Sequence, residues 1–241
     1  MRGRISALSA LIATVAVAGP TIDPPVPAGF DPGGVAVAII GPGLDYREGG
    51  ISQRLARDGE GEIIGYDFQD DDRRPYKVLH IYETENYSHP GTAAARILLT
   101  ESEACRLVAI RTSFNDPAAI AKAIAYAATS PSRIIAVQHP YAQDADIGVL
   151  NAAARRFPNQ LFIVPAGEFN SNLDHGANTK GSEPNLIVVA AARADGSIYD
   201  ESSWGERSVD VATEAGALTN FGASGPLFPF KPDGDIAMAR L

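Results

Sequence analysis

The run Val35-Ala-Val-Ala-Ile-Ile40, followed at once by Gly41-Pro42-Gly43, constrains this chain more than any other stretch. Six apolar residues with no polar alternation read as a strand buried on both faces, and the Gly-Pro-Gly forces a sharp exit from it. Strands covered on both faces belong to parallel sheets, which need helical crossovers. The downstream sequence alternates accordingly. Strands are expected at 35–40, 62–66, 77–82, 106–111, 133–138, 160–164 and 185–191, and helices at 51–57, 90–100, 116–129 and 145–156. The helix at 116–129 is the clearest, because Asp116 can cap its free amides, Pro117 fits the first helical position, and an alanine-rich run follows. The expected class is α/β with a mainly parallel sheet and right-handed crossovers. Ligands of such sheets bind outside the carboxyl ends of the strands, which directs attention to Gly41, a residue with no side chain.

The first 18 residues differ in kind. Arg2 and Arg4 precede an apolar run from Ile5 to Val17, and Ala16-Val17-Ala18 fits a small-residue cleavage site, so residues 1–18 read as a signal peptide and the mature protein as secreted or periplasmic. The run is shorter than the roughly 20 residues a membrane span requires. Residues 19–34, with five prolines and the pair Gly33-Gly34, read as an extended linker, and residues 35–241 as one domain. Cleavage would take the net charge from −9 to −11, a balance unsuited to nucleic acid or anionic membranes. Cys105 is the single cysteine and starts a strand, so it reads as a buried structural thiol. His80, His139 and His175 lack the spacing of a metal site. Asp70-Asp71-Asp72 offers carboxylates of the type calcium takes, but without other oxygen ligands in view it reads as a solvated loop, and no cofactor is expected.

Four segments, in order, resemble the subtilisin-like serine protease family (peptidase S8). They are the strand and turn at 35–46; Ser88-His89-Pro90-Gly91-Thr92-Ala93-Ala94-Ala95; the strand 132–138 with the later Leu161-Phe-Ile-Val-Pro-Ala-Gly167-Glu168; and 185–192 with Ser202-Ser203-Trp204-Gly205 and Val209-Asp-Val-Ala212. The resemblance implies a three-layer domain, a mainly parallel central sheet flanked by helices. It also implies where a catalytic apparatus would stand, and there this sequence departs from the family. Gly41 falls at the aspartate, Pro90 at the histidine, Glu168 at the oxyanion-binding asparagine, and Ile236, in Gly234-Asp235-Ile236-Ala237, at the nucleophilic serine. A glycine cannot orient an imidazole, and an ionised carboxylate has no hydrogen to donate to an oxyanion. The helix that the family builds on the serine would begin only five residues before Leu241, so it is expected to be truncated, leaving an apolar groove.

The function implied is an exported protease homologue that has lost peptidase chemistry and retains a peptide- or protein-binding role. The resemblance places a bound peptide beside Gln138 and His139 and beside Ala166 and Gly167, as an added strand held by backbone hydrogen bonds. The alternative is an active serine endopeptidase with a shifted triad of Asp45, His89 and Ser224. Against it, Gly225-Pro226 after Ser224 would break the helix that such a nucleophile needs, and Ser224 reads more simply as a turn residue.

Overall fold

The computed structural model describes residues 23–77, 90–113, 116–138, 144–175, 180 and 183–214. Each long apolar run forms a strand: β1 (Val35–Gly41), β3 (Cys105–Arg111), β4 (Ser132–Val137), β5 (Leu161–Pro165) and β6 (Leu186–Ala192). Two short edge strands, β2 (Tyr66–Asp67) and β7 (Val211–Glu214), complete a sheet in the order β2-β3-β1-β4-β5-β6-β7 with every pairing parallel. The helices are α1 (Gly49–Ser52), α2 (Pro90–Glu101), α3 (Pro117–Thr129) and α4 (Asp144–Arg156). Asp116 caps α3 by accepting a hydrogen bond from Ala118 N at 2.9 Å, with Pro117 opening the helix. None of the described helices is long and apolar enough to cross a membrane.

The strand periodicity sorts the side chains into two layers. One face of the sheet, carrying Ala38, Ile40, Val108, Ile110, Ile135, Val137, Phe162 and Val188, is packed by Ile120, Ala123 and Ile124 of α3 and Leu150 and Ala154 of α4. The other face, carrying Ile39, Leu107 and Ala109, is packed by Ile51 of α1, Ala95 of α2, and Leu44, Tyr46 and Leu55. Farther along that second face, Ala136, Ile163, Val189 and Ala191 form a third cluster whose described members include no helical residue. The result is an α/β three-layer domain.

Two elements differ from expectation for one reason. The expected helix at 51–57 stops at Ser52, and the chain then runs along β3: Leu107 N donates to Arg54 O at 2.7 Å and Ala56 N donates to Leu107 O at 2.8 Å. The outer edge of β3 carries backbone groups that must be paired, and this segment pairs them where β2 does not reach. The expected strand at 62–66 is largely the return arm of a tight hairpin, in which Arg57 bridges Ile63 and Asp58 N donates to Glu62 O at 2.9 Å; only Tyr66 and Asp67 join the sheet. Of the expected strand at 77–82, residues 78–82 lie outside the described residues.

Residues 23–34 run extended over the body and are fastened by polar contacts. The buried Tyr46 hydroxyl donates to Pro24 O, Arg57 donates to Pro27 O at 2.7 Å, and the Asp31 carboxylate accepts from Arg57 N at 2.8 Å and from Arg106. Residues 1–22, which include the expected signal peptide, lie outside the described residues.

Candidate functional site

β1 lies between β3 and β4, so the chain reverses its direction of travel across the sheet at this strand. The carboxyl end of β1 is therefore the topological switch point, where open parallel sheets form their crevices. Three elements meet there. Gln138, the residue after β4, donates its backbone N–H to Ile40 O at 2.8 Å, while Gly41 O accepts from Thr112 N at 3.0 Å. The turn after β1 passes through Gly43 at φ +95°, a conformation that L side chains rarely adopt, and Leu44 N donates to Pro75 O at 3.1 Å. The first turn of α2 seats on this turn. A β-carbon on Gly91 would lie 2.2 Å from Gly43 O, and the buried Thr92 hydroxyl accepts from Asp45 N at 2.9 Å.

The side chain that fills this junction is Gln138. It is 3% exposed, and a β-carbon built on Gly41 would lie 2.1 Å from its Oε1; one on Gly91 would lie 3.4 Å away. The amide thus occupies the volume that any side chain at position 41 would enter. The niche, lined by Ile39, Gly41, Gly43, Leu44, Ala109, Ile110 and Gln138, has no room for a water molecule, and none of these residues can act as an acid, base or nucleophile.

Asp45 is half-buried near the start of α2, with its carboxylate already engaged. Arg47 holds it through Nε at 2.9 Å and Nη2 at 2.7 Å, stacks over Tyr76, and Tyr76 donates a longer bond to it at 3.3 Å. Burial raises the Asp45 carboxyl, but the hydrogen bonds and charge from Arg47 outweigh it and hold the group below its ordinary value of 3.8. An ionised, forked pair of this kind is a strong contact. A histidine would have to displace or share it.

The second wall of the crevice is the loop after β5. Ala166 N donates to Val189 O at 2.8 Å, Gly167 adopts φ +99° and its carbonyl accepts from Ser203 N at 2.8 Å, and Glu168 follows half-buried. Trp204 N donates to Ser171 O at 2.9 Å, Leu173 N donates to Trp204 O at 2.7 Å, and the Ser171 and Ser203 hydroxyls meet at 3.1 Å. This stitching fixes the loop against the Ser-Ser-Trp-Gly turn and leaves Phe169 and Trp204 about half exposed.

No protein-family model matches the sequence, and no curated protein matches it. Solved structures do match. A lanthipeptide protease superposes with a TM-score of 0.58 at 17% identity, over 76% of this chain and 56% of that one. The epidermin leader peptide processing serine protease EpiP from Staphylococcus aureus gives 0.56 at 14% over 90% and 64%, and a mutant of the protease domain of PatA gives 0.59 at 14% over 86% and 77%. The fold is subtilisin-like. The chain spans between just over half and about three quarters of the length of these proteins.

Within this subtilisin-like frame the structure brings Gly41, Pro90-Gly91 and Gln138 to one junction, with Pro90 opening α2. Ala166, Gly167 and Glu168 follow β5 at the same edge of the sheet. His89, His139, Ser224 and Ile236 lie outside the described residues, so the shifted triad and the position of the expected truncated helix are not described. His175 is exposed in a short 3-10 helix (Leu173–His175), and Cys105 is buried, its thiol 3.3 Å from Ser102 O. Asp70, Asp71 and Asp72 do not act as a unit: Asp71 accepts from the Tyr66 hydroxyl, Asp72 from Arg74 N, and Asp70 from Arg111. The sequence reading missed the inward-turned Gln138. The signal available was a long amide side chain ending an apolar strand, with glycines at 41 and 91.

Proposed function

We propose that this protein is a subtilisin-like protease homologue, exported from the cell, that binds an extended peptide without cleaving it. One observation carries the reading: the Gln138 amide stands in the volume where a side chain at position 41 would have to reach toward α2. Acyl transfer by a serine needs a base whose tautomer is fixed by a buried acceptor, and a neutral amide in a filled niche supplies no such carboxylate. The neighbours in structure are named as proteases and a macrocyclase acting on peptides, among them a leader peptide processing enzyme and a macrocyclase complexed with peptide. A crevice that served such substrates can still pair with an extended backbone after catalysis is gone, since the main chain at Gln138, Ala166 and Gly167 is independent of the lost side chains.

The test combines two measurements on the purified full chain. A serine-directed fluorophosphonate probe should leave it unlabelled, while fluorescence anisotropy against a panel of labelled unstructured peptides should show saturable binding. Stoichiometric labelling at Ser224 that vanishes in His89→Ala would establish the active endopeptidase instead, with Asp45 as its third member. Absence of binding to every peptide in the panel would remove the binding role.

A further inference from the structure

The segment at 23–34 reads Asp-Pro-Pro-Val-Pro-Ala-Gly-Phe-Asp-Pro-Gly-Gly, with Pro24 and Pro27 three residues apart. Prolines spaced in this way fit the polyproline helix, whose turn of three residues sets such positions on one side and leaves every carbonyl free to accept. The body supplies the matching donors. The Tyr46 hydroxyl donates to Pro24 O, Arg57 Nη2 to Pro27 O at 2.7 Å, and Arg74 Nη1 to Asp23 O at 3.4 Å. Between the two prolines, Val26 packs on the cluster that holds Tyr46 and Tyr76, whose rings meet edge-on with centroids 5.2 Å apart, while Pro25 and Ala28 face solvent. Proline-rich ligands are bound in this manner, on an aromatic floor. Arg57, 6% exposed, senses two further positions. A β-carbon on Gly29 would lie 3.1 Å from its Nε and Nη2, so a side chain there would press on the guanidinium. Its backbone N–H donates to the Asp31 carboxylate at 2.8 Å, which also accepts from Arg106. The groove therefore matches Pro-x-x-Pro-x-Gly-x-Asp.

None of these contacts requires the segment to belong to the same chain. Past Asp31 the backbone turns through Gly33 and Gly34 at φ +72° and +84°, a pair with the conformational freedom of a hinge, before β1 begins. At the other end the buried Asp23 faces Asp67 and Asp70, and its Oδ1 accepts no hydrogen bond, so this end is docked at a cost. Beside the hinge, Phe30 is 93% exposed and Val35 48% exposed, two apolar side chains left to solvent in the single chain. We propose that Tyr46, Tyr76, Arg57 and Arg106 form a binding site for a Pro-x-x-Pro-x-Gly-x-Asp segment, filled in cis by residues 23–31 and, through exchange about Gly33-Gly34, by the same segment of a second copy. The second copy is the occupant because it carries the whole motif, and because exchange sets the two hinges side by side and covers Phe30 and Val35. The contacts made in cis and in trans are identical, so only the effective concentration conferred by the short tether favours the closed chain. The site uses none of Gln138, Ala166 and Gly167 and is independent of the crevice.

The experiment uses the full chain. Asp31→Ala loosens the segment in cis and leaves the groove intact, while a synthetic peptide of residues 19–34, labelled at its amino terminus, supplies the segment in trans. The Tm of Asp31→Ala should lie below that of the wild type and return toward it saturably as peptide is added. Fluorescence anisotropy should show the peptide bound about tenfold or more tighter than by the wild type, whose own segment competes. Full-chain Gly29→Val, which loosens the segment through a different contact, should behave as Asp31→Ala does. Peptides carrying Gly29→Val or Asp31→Asn should fail at the same concentrations. Sedimentation velocity of the wild type over a wide concentration range should show monomer passing into dimer, reversed by excess peptide. A Tm and an anisotropy that ignore the peptide in both variants overturn the site. A wild type that binds the peptide yet stays monomeric at every concentration overturns the exchange between copies.

Discussion

Substituting Gly41→Ala puts a methyl group 2.1 Å from Gln138 Oε1 and 3.1 Å from its Cδ, where ordinary contacts lie at 3.4–4 Å. The amide must retract by about 1 Å or more. Overpacking of this kind costs about 1–3 kcal/mol. Against it stands a gain of about 0.5–1 kcal/mol from replacing a strand glycine by alanine. The net expectation is a loss of about 1–2 kcal/mol, read as a fall in Tm of about 2–8 °C for a domain of this size. In a Gln138→Ala background the obstacle is gone, so the same change should be neutral or stabilising by up to about 1 kcal/mol, and the coupling between positions 41 and 138 should be about 2 kcal/mol. Gly91→Ala serves as the comparison. Its β-carbon meets Gly43 O at 2.2 Å, a backbone atom, and Gln138 only at 3.4 Å, so Gln138→Ala should not rescue it. Guanidinium unfolding of the four variants of the 41–138 cycle, with m-values checked for constancy, measures the coupling. Equal losses from Gly41→Ala with and without Gln138 would refute the claim that this amide fills the junction.

Other predictions concern the frame. Asn185 Nδ2 lies 3.0, 3.1 and 3.0 Å from the carbonyls of Ala154, Phe157 and Gln160, so Asn185→Leu should strand acceptors at the end of α4 and lower stability by about 1–3 kcal/mol in urea unfolding. Tyr46→Phe removes the hydrogen bond to Pro24 O and should cost about 0.5–1.5 kcal/mol, with faster hydrogen exchange confined to residues 23–34 and their neighbours. Burial raises the Asp31 carboxyl, yet the hydrogen bonds from Arg57 N, Arg106 and Gly33 N outweigh it and hold the group below its ordinary 3.8. Its contribution is therefore complete above about pH 4 and is lost as pH falls through the lower folded value. Protection factors of the amides in residues 23–34, after correction for the intrinsic pH dependence of exchange, should fall toward acid between pH 5 and 2, and Asp31→Asn should flatten that fall.

The sheet was legible where a strand is buried on both faces, because an unbroken run such as Leu107 to Ile110 has few other places to go. Strand limits there fall within about a residue of expectation, and Asp116-Pro117 marks the start of α3 by local chemistry alone. Segments whose shape is set by a distant partner were not legible. Residues 54–57 follow the open edge of β3 instead of continuing a helix, and nothing local announces that edge. The site divides the same way. The lack of a carboxylate at 41 is visible in the letters, whereas the inward turn of Gln138 depends on glycines 97 and 47 positions earlier meeting in space. Asp23 and Asp67 are likewise neighbours only once the chain has folded.

The central position of β1 has a consequence for how the protein is made. Val35 pairs with Cys105 and Ala36 with Ser132, so both flanks of the first strand among the described residues are supplied by chain synthesised much later. At a translation rate of about 5–20 residues per second, the first flank emerges roughly 4–14 s after the strand itself. Through that interval a sticky ribbon stands uncovered beside every other nascent copy, and the yield of native protein is set by what shields it on the ribosome as much as by the stability of the finished fold.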